Sequence, residues 1–366
     1  MDNSFYSPFE YDRFRFEALL ACGSFGSVYR AVDTYRNNEL VAIKVQKKPE
    51  ARFHVAQRQQ EETCIHAALY GHPNIVSLWG AYETPGGVYH HMDLSDGIDL
   101  HDALKQKIFA DRPGLLKRGF GQIISALAYM HGKRFYHRDI KPENILLSAD
   151  LRTWRLCDFG LATPDDWTRG KGAGSGFYRS PESLVGEYDN GPADVWSLGM
   201  TLLYLVTGRK PWAKATPDDK LYSLFLESGP KFFLVLGDMT AEFFQFIRRF
   251  FELDPKKRIT LREAARDLKA LSLDAFRPGQ DIDYDSIPAY RVDPSPTSAL
   301  EVDGEDQMLS SLPMLSVTSS STGSMESCPR TPRSTPYRLP PDRKQYTYIN
   351  DASRPRLCTE SVYPAF

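Results

Sequence analysis

What this sequence lacks narrows it first. Its 366 residues include only five cysteines (Cys22, Cys64, Cys157, Cys328 and Cys358), with no C-x-x-C pair. Scattered thiols of this kind exclude a disulfide scaffold and fit a reducing compartment. The eight histidines show no metal-ligand spacing, and His90 and His91, adjacent on a predicted strand, point to opposite faces. Neither charge is in excess, with 45 Lys plus Arg against 47 Asp plus Glu, so no basic surface for nucleic acid or an anionic membrane is expected. The longest apolar run, Met200 to Val206, is far too short to cross a bilayer, and the opening M-D-N-S-F-Y-S-P-F-E-Y-D is acidic where a secretion signal would be basic. The expectation is a monomer of the cytoplasm and/or nucleus with no membrane and no nucleic-acid partner.

What is present is a hydrophobic share of 42% and an aromatic share of 12%, enough for a large core. Within it, residues 135–147 read F-Y-H-R-D-I-K-P-E-N-I-L-L, a polar stretch from His137 to Asn144 between two apolar flanks. Asp139 can accept a proton from an attacking hydroxyl, Lys141 can neutralise a moving phosphoryl oxygen, and Asn144 can help hold a metal. Pro142 stiffens the loop. Taken alone, the string would also serve as a solvated charge run on a surface turn. It resembles the catalytic loop of the protein kinases, H-R-D-x-x-x-x-N, and its K-P-E-N ending is similar to the serine/threonine branch.

Other motifs stand in the order that this resemblance requires. From Phe14, R-F-E-A-L-L-A-C-G-S-F-G-S-V-Y-R-A-V and then V-A-I-K-V alternate β-formers around a glycine pair, which predicts three antiparallel strands. Gly23 and Gly26 would let the first turn approach phosphates, where a Cβ would obstruct. The resemblance implies that Ala21, Gly23, Ser24 and Gly26 line this loop, although Ala21 replaces the family's first glycine and is expected to keep φ below zero. Lys44 falls on the lysine that pairs with nucleotide phosphates. It needs a carboxylate from a helix predicted over 52–69: Glu62 is assigned, with Glu61 as the alternative. Val88 to Leu94 is predicted as the fifth strand, with Met92 as gatekeeper, Asp93, Leu94 and Ser95 along the adenine edge, and Asp99 near the ribose or a basic substrate residue. Val28 and Ala42 would wall the adenine from above and Leu146 from below. Residues 115–132 have the spacing of a buried helix whose start Gly119 and Gly121 weaken.

L-C-D-F-G at 156–160 lies nineteen positions past Asp139, so the resemblance makes Asp158 a second metal ligand beside Asn144 and Phe159 an in/out switch. Ser175, Glu182, Asp194 and Arg258 match a hydroxyl that orients the catalytic residues, an acid paired with the arginine, and a helix supporting the loop from below. Arg138 resembles an arginine that many kinases neutralise with a phosphate; here 169–171 are Arg, Gly and Lys, leaving Thr168, Asp165 and Asp166 as the nearest groups that could supply an anion.

The implied fold is α+β and bilobal, an antiparallel five-stranded N-lobe with one helix and a mainly helical C-lobe, within a kinase domain at 14–272 (lobes about 14–94 and 95–272) preceded by an extension, 1–13. In 273–366 the composition shifts, and 30 of the 73 residues from Pro294 to Phe366 are Ser, Thr or Pro, so a disordered tail is expected. Ser295, Thr331 and Thr335 each precede proline and match sites for an upstream proline-directed kinase. The implied activity is transfer of the γ-phosphoryl group of ATP, with Mg2+, to serine or threonine of protein substrates. F-Y-x-S-P-E and the longer connection after Glu62 resemble fungal Ran-like kinases. The rival is a pseudokinase scaffold; such proteins usually lose the lysine or one of the two aspartates, and all three are here.

Overall fold

The computed structural model describes residues 13–276 apart from 24, 25, 48–52, 85, 171, 173, 237 and 238, and apart from the side chains of 53–56 and 234–236. The segments expected as an N-terminal extension and a disordered tail lie almost wholly outside the described residues, as does Ser24.

The first layer is an antiparallel sheet of β1 (Phe14–Gly23), β2 (Gly26–Asp33), β3 (Glu39–Lys47), β4 (Leu78–Thr84) and β5 (Gly87–Asp93), ordered β1-β2-β3-β5-β4. On the face of this sheet opposite Lys44, Ala31, Val41, Ile43, Tyr82 and Tyr89 form a small core backed by Phe14, Phe16 and Val45. α1 (Phe53–Ala68) packs on this sheet. Ala21 sits in β1 opposite Val28 and is not among the residues with positive φ. The fold itself requires Gly26: at φ +121 its added Cβ would lie 2.3 Å from the Val45 carbonyl oxygen, so β3 demands the glycine. A Cβ on Gly23 would meet nothing within 4 Å.

The second lobe is helical, with α2 (Leu100–Lys105), α3 (Pro113–Gly132), α4 (Pro181–Val185), α5 (Asn190–Thr207), α6 (Lys220–Ser228), α7 (Ala241–Ile247) and α8 (Leu261–Ala270). Two ribbons serve the loops between them: β6 (Ile145–Leu147) with β7 (Trp154–Leu156), and β8 (Trp167–Thr168) with β9 (Tyr188–Asp189). α3 runs through the core, burying Leu116, Phe120, Ile123, Ile124, Leu127 and Met130, while α5 buries Trp196 against Phe251 at 5.2 Å in an edge-to-face contact. Arg258 lies beneath this lobe, donating to both Glu182 oxygens at 2.6 and 3.2 Å with its guanidinium over Trp196.

Two boundaries differ from the expected ones. Past α8 a 3-10 turn at Asp274–Phe276 buries Ala275 and Phe276, the latter against Phe243, so the packed chain extends beyond 272. At the other end Arg13 pairs with buried Asp33 at 3.0 Å. The α3 glycines also differ from one another. Gly119 is where the helix backbone meets the Trp154 indole: an added Cβ would lie 2.0 Å from the ring, whereas at Gly121 the nearest atom, on Leu268, is at an ordinary 3.5 Å. Gly119→Ala is therefore expected to lower Tm by several degrees, about 1–3 kcal/mol of overpacking. Gly121→Ala should leave it unchanged or raise it. Equal effects in calorimetry would contradict this account.

Candidate active site

The chain leaves α3 at Gly132 and enters the loop that carries His137, Arg138 and Asp139. Asp194, 1% exposed near the start of α5, holds the loop from below: its two oxygens accept the backbone N–H groups of His137 at 2.8 Å and Arg138 at 2.7 Å. That grip accommodates Arg138 at φ 65, a left-handed conformation unfavourable for a long side chain. Pro142–Asn144 then closes a 3-10 turn that delivers Asn144 beside Asp139.

Both oxygens of the Asp139 carboxylate have partners, which a hydroxyl approaching it would have to share or replace. One oxygen accepts from Ser175 N–H at 2.9 Å and Ser175 Oγ at 3.0 Å; the other meets Lys141 Nζ at 2.7 Å and Asn144 Nδ2 at 3.1 Å. Lys141 also donates to Ser175 Oγ at 2.8 Å. Burial alone would raise this carboxyl's pKa, but the hydrogen bond and charge of Lys141 and the Ser175 N–H together hold it below the ordinary value. Asn144 donates its amide hydrogens to Asp139 at the carbonyl and the carboxylate, which leaves its carbonyl oxygen as the atom able to bind a cation.

The opposite wall is built on β3. Lys44, 6% exposed, donates to Glu62 Oε1 and to Asp158 Oδ1, both at 2.7 Å. Burial works against its charge, yet the two carboxylates raise its pKa overall, and in return Lys44 holds half-buried Asp158 below the usual carboxylate range. Glu62 takes this position and Glu61 does not: Glu61 accepts from exposed Gln57 on the outer side of α1. Asp158 stands at φ 60, with Phe159 turned inward against the rings of His66 at 4.6 Å and His137 at 5.4 Å. With one Asp158 oxygen on Lys44 and the Asn144 carbonyl free to coordinate, two oxygen ligands of the kind a hard divalent cation prefers are present.

Other expected residues divide between the cleft and structural duties. Val28 pairs with Lys44 and Ala42 with Met92 in the sheet, while Leu146 forms a bridge with Asp99 in the second lobe. Asp93 has partners of its own: its carboxylate accepts from Trp79 Nε1 at 2.6 Å and Ser77 N–H at 3.3 Å, and its backbone N–H donates to the Ser77 carbonyl at 3.1 Å. Ser95 Oγ bonds the Leu147 carbonyl, and Asp99 caps α2 by accepting from Asp102 N–H. The acids expected near Arg138 have other partners: Asp166 takes Tyr136 and Arg134, and Asp165 takes Thr163. Thr168 donates to Asn190 at 2.8 Å. Gln46, absent from the expected set, lies on the same face of β3 as Lys44 and donates to Glu62; the two-residue period of a strand is the signal that would have found it.

Residues 14–268 match the family described as protein kinase domain. The "Negative regulator of sexual conjugation and meiosis" of Schizosaccharomyces pombe is 32% identical over 277 residues, 69% of this chain and 58% of the relative. The serine/threonine-protein kinase KSP1 of Saccharomyces cerevisiae is 29% identical over 304 residues, covering 81% and 27%. A human SNF-related serine/threonine-protein kinase is 32% identical over 253 residues, covering 68% and 32%. The chain thus spans between about a quarter and somewhat over half of these relatives' lengths.

The lowered pKa of Asp139 has a sign that can be measured. A carboxyl held below its unfolded value stabilises the fold above that value, about 3.9, and the contribution fades as pH falls through the folded pKa. The Tm difference between wild type and Asp139→Asn should accordingly be constant from about pH 5 to 7 and shrink below about pH 4. A difference that grew on acidification would contradict the Lys141 and Ser175 geometry.

Proposed function

This chain belongs to the protein kinase family, and we propose that it transfers a phosphoryl group to serine or threonine hydroxyls of proteins, as the relatives named serine/threonine-protein kinases suggest, with the Asp139 cluster and the Lys44 cluster dividing the work of the transfer. The observation that carries the reading is the meeting of Ser175, Lys141 and Asn144 on the two oxygens of one carboxylate.

In this reading ATP lies between Val28 and Ala42 above and Leu146 below, past Met92. Lys44, held by Glu62, faces its phosphates. Asn144 and Asp158 would hold Mg2+, which when bound neutralises phosphate charge. Asp139 receives the acceptor hydroxyl's hydrogen bond. With its pKa lowered it is a weak base, which suits a reaction whose transition state is loose and whose proton leaves late; orientation rather than basicity is its contribution. Lys141 stands 2.7 Å from Asp139, within reach of the oxygens in flight. Among the described residues no helix is long and apolar enough to cross a membrane. The whole protein's substrates, and its action in the cytoplasm or nucleus, belong to the same proposal.

The direct test is Asp139→Ala in the full chain. Phosphoryl transfer to a peptide should fall by about a thousand-fold while ATP binding, read by thermal shift, changes by less than about three-fold, because this carboxylate touches the acceptor and not the nucleotide. Wild-type turnover in that variant would sink the assignment. A second variant addresses the activation segment, where Thr168 is tied to Asn190 and the acids at 165 and 166 are engaged elsewhere. Thr168→Ala is expected to retain at least about a third of the wild-type rate, the scale of losing a surface charge pair. Nearly complete inactivation by phosphatase, reversed by rephosphorylating Thr168 alone, would contradict it.

A further inference from the structure

The helix that supplies Glu62 meets the sheet through polar groups. Gln59, Glu62, Thr63 and His66 recur at the three- and four-residue spacing of one face of α1, and each is at most 8% exposed. All four have partners off the helix. Gln59 Nε2 donates to the Lys47 carbonyl at 2.8 Å, and His66 Nε2 sits 2.7 Å from the Val76 carbonyl. Thr63 Oγ1 donates to the Gln59 carbonyl at 2.9 Å; having given its hydrogen there, it must accept from His90 Nε2, 2.7 Å away. That assigns the His90 tautomer, and burial keeps the ring neutral with a pKa near 3. At the centre of this face the two Glu62 oxygens are divided: Oε1 takes Lys44 and Oε2 takes Gln46 Nε2, both at 2.7 Å, with Gln46 itself 4% exposed.

This division has a mechanical consequence. The terminal torsion of a glutamate is broad, and a lysine ammonium is a point charge on a flexible stem, so the Lys44 pair alone leaves the carboxylate plane free to turn. Lys44 is shared as well with Asp158 and must face a nucleotide when one binds. A second donor, on the same strand and on the other oxygen, fixes the plane whatever Lys44 does. We propose that Gln46 is a positioning residue for phosphoryl transfer: it orients Glu62 so that Oε1 is presented to Lys44, and it keeps α1 in the catalytic position without help from a phosphate on the activation segment. The inference rests on the kinase reading above and extends it by a residue outside the Lys44–Glu62 pair.

The experiment is a double-mutant cycle in the full chain, with peptide phosphorylation as readout. Gln46→Met keeps the volume and removes the donor; it should lower kcat by about ten-fold, the scale of one buried hydrogen bond to a charged group, while KM for ATP moves by less than about three-fold. Glu62→Gln should lower kcat by itself. Adding Gln46→Met to Glu62→Gln should then cost less than about two-fold, because the carboxylate to be oriented is already gone. Gln46→Asn, too short to reach, serves as the second variant and should match Gln46→Met. Losses that multiply in the double variant, a Gln46→Met rate within two-fold of wild type, or failure of both variants to fold would each overturn the proposal in favour of a purely structural Gln46. An inactive wild type would instead defeat the kinase reading itself, so the two failures are distinguishable.

Discussion

A buried ammonium must be neutralised, and at Lys44 that requirement joins three parts of the molecule that are remote in sequence. Its two carboxylate partners come from α1, eighteen residues away, and from the segment after β7, 114 residues away. Desolvating three charged groups costs several kcal/mol each before their attraction offsets it, so the cluster is poor evidence for stability. What it supplies is geometry. With Asp158 drawn to Lys44 in a left-handed conformation, the chain direction reverses and Phe159 is seated against His66 and His137. The rings lock together the helix, the loop and the segment that carries Asp158, so that a displacement of α1 would be felt at Asp158.

The floor of the site follows the same rule with the signs exchanged. Asp194 is a buried carboxylate whose partners are two backbone N–H groups of the loop that it must shape and the ring of His131 at the end of α3. Arg258 is a buried cation answered by Glu182, the Pro192 carbonyl and the face of Trp196. Each charge is satisfied by groups from a different segment, and each would be costly to leave alone, so the segments have little freedom to choose other positions. The apolar core under them, centred on α3 and α5, provides the hydrophobic drive; the charges specify which loop conformation it stabilises.

The reaction's own demands made much of the site legible. The residue types at Lys44, His137–Asn144 and Asp158, in that order along the chain, resemble the protein kinases, and the family and the two-lobed fold that the resemblance implied are the ones found. Runs of β-formers were enough to place the strands, although β3 is buried on both faces and β1 on neither. Tertiary structure decided the rest. Glu62 and Glu61 are adjacent and chemically alike, and which one meets Lys44 depends on the rotational phase of α1, set by what packs behind it. The strand period puts Gln46 on the face of Lys44, but that it meets the second oxygen of Glu62 was decided by the fold. The side chain of Asp93 was engaged by Trp79 and Ser77, and Phe276 was drawn into the core by Phe243. Residue types carry chemistry locally, whereas the choice between equivalent neighbours and the pairing of distant ones belong to packing, where many weak contacts across the chain have to be satisfied together.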